Sequence, residues 1–352
     1  MKQIITIWAA VMVCTATASA QTEVTAGVMR GKDYGVTYTL PKSEIRIEVK
    51  VNKVIYTPGE FSRYADRYLR LNNVSGEPEE YWELQGMTVQ SAGVPDSEKT
   101  YFVKLKDKTV APLMELTKEG IVKSINMPYS SPSGSAASSS TPASTRKVNP
   151  KDFLTEEILM ANSTAKMAEL ISKEIYNIRE SRNALMRGQA DYMPADGEQM
   201  KLMLTNLEEQ ERAMTEMFSG TCHIEERAFV IRVVPDREYD EEVVFRFSRK
   251  LGLLGKEDLA GEPIYMTLKD LNAVDVPEDD KKKKVSGVAY NIPGRARVTI
   301  KQGTQQLYSG EMPITQFGTT EYLAPALFNK KSTVKVLFNP ETGGLIKVDR
   351  DE

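Results

Sequence analysis

The sequence predicts an α+β protein, with two antiparallel β-rich domains (sandwich or half-barrel) and a long antiparallel helical hairpin between them. Three observations carry this. Short apolar–polar alternations bounded by Gly, Pro, Asn and Asp fill both ends of the chain, as half-buried strands require. Between them the apolar spacing changes to steps of three and four, the period of packed helices. A chain of 352 residues also exceeds what one ordinary core holds. The expected division is 1–20 signal peptide, 21–148 N-terminal β-rich domain with one short helix and a Ser/Pro-rich tail, 149–220 helical hairpin, and 221–352 C-terminal β-rich domain.

In chain order, Lys2, a mostly apolar run over 4–14 and Ala18-Ser19-Ala20 have the build of an export leader cut before Gln21. The mature protein is therefore expected to be exported, in the periplasm or associated with the cell envelope. Cys14 is a poor lipid-attachment site, because Val13 before it is larger than the small residue such a site needs. Its removal leaves Cys222 alone, without an internal disulfide. Next, Val36, Tyr38 and Leu40 share one parity, and Ile45, Ile47, Val49 and Val51 alternate with Arg46, Glu48 and Lys50, predicting strands with one buried face. Thr57 as cap, Pro58 at the first helical position and Glu60 three residues after the cap predict a helix start. Phe61, Tyr64, Ala65, Tyr68 and Leu69 then form a stripe, expected to lie flat on the first sheet. Further strands are expected over 81–89 and 101–105, with a small hairpin turning at Gly120.

Residues 130–145 are almost all Ser, Ala, Pro, Thr and Gly, too poor in apolar surface to offset the entropy of ordering, so they read as a loop or tether. Trypsin is expected to cut after Arg146 or Lys147. From Asn149-Pro150 a long helix is predicted with Leu154, Ile158, Ala161, Ala165, Ala168, Ile175, Ile178 and Leu185 inward. A second, over 197–218, turns Met200, Met203, Leu207, Met214 and Met217 towards it. Gly188 ends the first and Asp196 caps the second. Strands return over 229–234, 243–247, 264–268, 296–300, 334–338 and 345–348. One echo, Gly35-Val36-Thr37-Tyr38-Thr39-Leu40-Pro41 against Gly287-Val288-Ala289-Tyr290-Asn291-Ile292-Pro293, points to internal duplication.

Charge and motifs narrow the chemistry mainly by exclusion. After the leader, 45 basic residues face 49 acidic ones, with no concentrated basic face for nucleic acid. The basic run 281–284 directly follows Glu278, Asp279 and Asp280 and reads as a self-offsetting solvated loop. No mature segment is apolar enough for a transmembrane helix. His223 is the only histidine, and adjacent Cys222 and His223 in an extended segment point to opposite faces, which suits a structural junction better than a nucleophile and its base. Both are expected to be dispensable. Asp275, Glu278, Asp279 and Asp280 offer hard oxygens but lack the glycine and spacing of a calcium loop. No dinucleotide or P-loop glycine pattern occurs. Accordingly no catalytic, cofactor or metal residue is assigned. Arg179, Glu180, Arg182 and residues 191–197 form the densest polar feature, read as anchoring the hairpin end against the body, with Tyr176 and Arg182 as contacts.

Taken together, Tyr56-Thr57-Pro58-Gly59-Glu60-Phe61 with Tyr64-Ala65 and Tyr68-Leu69, residues 175–182, Pro194-Ala195-Asp196-Gly197, Met217-Phe218-Ser219-Gly220, residues 290–293 and Gln316-Phe317-Gly318 resemble a family of exported Bacteroidales proteins, domain of unknown function 4831. The resemblance spans nearly the whole mature chain. It implies export and this architecture, and brings no reaction or ligand. The expected function is a non-catalytic envelope or surface protein binding a protein or glycan partner; the alternative is an exported hydrolase of envelope polymers or glycans working through carboxylates.

Overall fold

The computed structural model describes residues 35–104, 114–129, 149–194, 196–274, 287–323 and 333–351. The leader with Cys14, residues 130–145, the acidic group from Asp275 to Asp280 and the basic run 281–284 lie outside them. In order the elements are β1 (Gly35–Thr57), α1 (Ala65–Leu69), β2 (Glu79–Lys104), β3 (Met114–Leu116), β4 (Val122–Ile125), α2 (Glu156–Leu159), α3 (Thr164–Arg187) and α4 (Gly197–Ser219). There follow β5 (Thr221–Val233), β6 (Tyr239–Ser248), β7 (Gly252–Leu254), β8 (Glu262–Asp270), β9 (Val288–Gln302), β10 (Gln305–Leu323), β11 (Thr333–Phe338) and β12 (Leu345–Asp351). The protein is α+β and rich in strand. Its sheets are antiparallel, in the orders β2-β1-β5, β10-β9-β8-β6-β7 and β12-β11-β4-β3.

Alternation in β1 builds the main core. Ile45, Ile47, Val49 and Val51 are buried and join Phe245 of β6, Ile264, Met266 and Leu268 of β8, and Ala296, Val298 and Ile300 of β9 in one cluster. The first two sheets therefore face each other as a sandwich. A second core joins Val36, Tyr38 and Leu40 to Val122, Ile125, Val336, Phe338, Val288 and Ala289. A third sits among the helices.

Two of the sheets cross the expected division into 21–148 and 221–352. Strand β5 pairs with β1 from Ile45↔Val233 to Thr57↔Thr221, and β11 pairs with β4 at Val336↔Ile125. The cause is the length and burial of β1. A central strand must satisfy both rims of backbone donors and acceptors, and the paired strand from its own segment, β2, fills only one.

The echo of Gly35–Pro41 in Gly287–Pro293 has a structural counterpart. Each copy opens the first strand of a long hairpin whose second strand carries a four-residue excursion. In β1–β2 the register passes from Thr39↔Thr100 to Pro41↔Pro95; in β9–β10 it passes from Ile292↔Thr319 to Gly294↔Ile314. Thr39 and Asn291, equivalent in the echo, each donate their backbone N–H to a glycine carbonyl at 3.0 Å, that of Gly120 and of Gly343. Both glycines have positive φ, 85° and 68°, and turn the small hairpins β3–β4 and β11–β12. Two hairpin pairs of one design are present in the chain.

Several local expectations change. Thr57 stays in β1, opposite Thr221, and caps no helix; a 3-10 turn, Ser62–Tyr64, precedes α1. The chain is held back because the Phe61 N–H donates to the Met217 carbonyl at 2.8 Å. A Cβ on Gly59 would lie 2.3 Å from that same carbonyl. The stripe Phe61, Ala65 and Leu69 is buried against the helices, with Ile171, Ile175, Met214 and Phe218, and not on the sheet. The long first helix is broken into a 3-10 turn (Pro150–Phe153), α2 and α3, because Ser163 accepts from the Lys166 N–H at 3.2 Å and starts the chain afresh. Ala161 and Ala165 are consequently half-buried, while Ile171 takes a core place. Strands expected over 81–89 and 101–105 fuse into β2, and β7 and β10 are additional. Gly188 in the left-handed region and Asp196, accepting from Gln199 N–H at 2.8 Å, bound the hairpin as expected.

Candidate functional site

Cys222 and His223 stand at the start of β5, opposite Tyr56 and Ile55 of β1. Strand geometry sends them to opposite faces, and both are exposed. The junction before them is tightly built. The Tyr56 hydroxyl lies 2.9 and 3.0 Å from the carbonyl oxygens of Ser75 and Ser219, and burial first, then the neighbouring Cys222, pushes its pKa up. Gly220 has φ +76°, and a Cβ there would meet the Thr57 carbonyl at 2.5 Å. Only glycine joins α4 to β5 without moving β1.

Beside this junction opens a cleft of about 730 Å³, reached by Glu60, Lys151, Arg212, Glu216, Cys222 and His223. It brings together the sequence-flagged pair and two carboxylates from distant segments, which one-dimensional spacing gave no means of finding. Among the described residues, no hydrogen bond or ion pair joins His223 to Cys222, Glu60 or Glu216. A nucleophile activated by a base needs that contact. As it stands, the cleft is a mixed-charge recess suited to polar recognition. No group of three or more His, Cys, Asp or Glu able to hold a metal occurs among the described residues.

The polar cluster of the hairpin has a different role from the expected one. Arg179 Nε donates to Glu211 Oε1 at 2.6 Å and Arg182 to Glu211 Oε2 at 2.7 Å, so one carboxylate of α4 clamps two guanidiniums of α3. The clamp is internal to the hairpin. Tyr176 does reach outward: its hydroxyl donates to the Tyr68 carbonyl at 3.0 Å, tying α3 to the end of α1. Glu180 is exposed.

Of the methionines read as packing residues, Met214 and Met217 are buried, whereas Met200 and Met203 are half-buried. Towards the bend the packing thins out. Met186 (58 % exposed), Tyr192 (70 %), Met193 and Leu202 (62 %) present apolar surface there. A shallow recess of about 350 Å³ lies against the bend, lined by Leu185, Ala190, Tyr192, Met203 and Leu207. Met186 follows the buried Leu185 directly and so falls off the inward stripe, a signal that was present in the sequence. No helix among the described residues is long and apolar enough to cross a membrane.

A family model described as Domain of unknown function (DUF4831) matches residues 34–346, most of the chain. No curated protein and no solved structure matches.

Proposed function

We propose that this chain, which belongs to that domain-of-unknown-function family, is a non-catalytic exported protein of a Bacteroidales envelope, binding a protein partner through the bend of its helical hairpin. The observation that carries the reading is the apolar group Met186, Tyr192, Met193 and Leu202, exposed where α3 and α4 turn. Surface of this kind is costly to leave in water and characteristic of interaction sites. Methionine and tyrosine suit it chemically, the first adapting its shape and the second combining an apolar ring with a polar tip. The Arg179–Glu211–Arg182 clamp holds the two helices in register below the bend.

A photo-crosslinker in place of Tyr192, activated in the native cell, is expected to capture one reproducible envelope protein, and Met186→Ser with Leu202→Ser to abolish capture while circular dichroism stays unchanged. Capture of nothing at Tyr192, together with reproducible capture of glycan fragments, would transfer the partner to the glycan class. Intact mass should begin at Gln21. The hydrolase reading rests on Glu60 and Glu216 in the cleft. Release of soluble fragments from peptidoglycan by the purified protein, lost in both Glu60→Gln and Glu216→Gln, would replace the binding reading with it.

A further inference from the structure

Among the described residues, strand β5 has a partner on one side only. It runs beside β1 for 13 residues without a register shift and contains no proline, and among the described residues no strand pairs with its other edge. Long, regular, open edges of this kind recruit further strands unless something blunts them. Its outward face adds apolar surface, with Ile224 53 %, Val230 55 % and, just beyond the strand, Val234 42 % exposed.

Charge and symmetry together select an occupant. A two-fold axis perpendicular to a sheet preserves which side each residue faces, so two antiparallel copies of β5 can only pair in registers that put some residue opposite itself. Centring on Glu226 or Arg227 sets like charges face to face. Centring on Ala228 or Val230 leaves Glu226 and Arg232 opposite apolar residues. Centring on Phe229 sets Glu226 opposite Arg232 twice, Ala228 opposite Val230 twice, and Ile224 opposite Val234 twice. That register uses the two charges of β5 which have no ion pair among the described residues, since Glu225 and Arg227 bind each other at 2.8 Å. Within its own sheet Arg232 stands opposite Arg46, whose guanidinium is already held by Glu44 at 2.7 Å, so Arg232 is the one of the two left for an incoming Glu226.

We propose that two copies of this chain associate through β5, antiparallel and centred on Phe229, joining their β2-β1-β5 sheets into one continuous sheet of six strands. This surface is separate from the hairpin bend and does not depend on the function assigned to it. In that register Cys222 of one copy lies opposite Asp236 of the other, so the two Cys222 positions are separated by about 45 Å at ~3.3 Å per residue.

The test uses the mature chain beginning at Gln21, in which Cys222 is the one thiol. Analytical ultracentrifugation should show a dimer, and spin labels on Cys222 should give an electron–electron distance near that separation. Glu226→Arg alone and Arg232→Glu alone should each weaken the dimer roughly tenfold or more, because each change places like charges opposite one another twice. Combining the two should restore it. A chain that stays monomeric up to about 100 μM, a dimer indifferent to the single charge reversals, a double variant no tighter than the singles, or a clearly different label distance would each overturn the proposal. Capture of a strand from another protein by a monomeric chain would overturn it as well.

Discussion

Tyr38 and Asn291 show how single buried polar groups fasten the second core. The Tyr38 hydroxyl accepts the Ala289 N–H at 2.7 Å and donates to the Ala289 carbonyl at 3.3 Å. Asn291 is buried and gives its amide hydrogens to the carbonyls of Pro41 at 2.8 Å and Thr342 at 3.0 Å. Asn291→Leu would leave two buried acceptors unpaired, and is expected to lower unfolding free energy by about 2–3 kcal/mol in urea titration. The tyrosines also set a pH limit. Burial above all pushes Tyr38 and Tyr101 well above the ordinary phenol range; the backbone bond to Ala289 partly opposes this in Tyr38, and the Tyr322 hydroxyl adds to it in Tyr101. A raised folded-state pKa means stability that is complete below the unfolded value near 10 and lost as pH climbs beyond it. Urea midpoints should therefore fall steeply from about pH 10 to 11, and the fall should be shallower in Tyr101→Phe. Equal slopes would show that these hydroxyls do not control the alkaline limit. The alternation that buries Tyr38 was legible in the sequence; its hydroxyl partner, 251 residues away, was not.

Among the elements, the hairpin was the most readable. Its helical period, the Gly188 stop and the Asp196 cap are local features, and local features survive folding because neighbours along the chain remain neighbours in space. What the period did not contain was the clamp. Glu211 lies 29 and 32 residues from its two arginines and meets them only once α3 and α4 are antiparallel. Glu211→Gln should cost about 1–2 kcal/mol, since charge-assisted bonds in a partly buried site outweigh exposed ion pairs. The measurement is hydrogen exchange: faster exchange confined to residues nearer the bend would support the clamp, and unchanged rates would refute it. Helix α1 shows the reverse situation. Thr57, Pro58 and Glu60 compose a sound local cap, but pairing of Thr57 with Thr221 and the bond from Phe61 to Met217 delay the helix, so tertiary contacts prevail over a start signal worth about 1 kcal/mol.

For the whole molecule, the exchange of strands between early and late segments has a direct consequence. Residues 21–148 produced alone should fail to give cooperative unfolding or dispersed amide resonances, because β1 would lack β5 and β4 would lack β11. Supplying 149–352 in the same cell should restore a soluble complex, and trypsin-nicked protein cut after Arg146 or Lys147 should remain associated under native conditions. An independently folded 21–148 fragment would show that β1 does not need its second neighbour. By itself the sequence determined the α+β class, the place and caps of the hairpin, most strand positions and the repeated Gly-Val-x-Tyr-x-aliphatic-Pro segment. All of these follow from spacing within a window of a few turns or a few strand residues. Tertiary structure alone decided which strands are neighbours, that Glu60 and Glu216 approach Cys222 and His223 in one cleft, and that no strand among the described residues pairs with the outer edge of β5. Pairing across 168 or 182 residues, as between Ile55 and His223 or Glu48 and Val230, depends on which apolar faces bury each other best, and no local pattern in the chain encodes that choice.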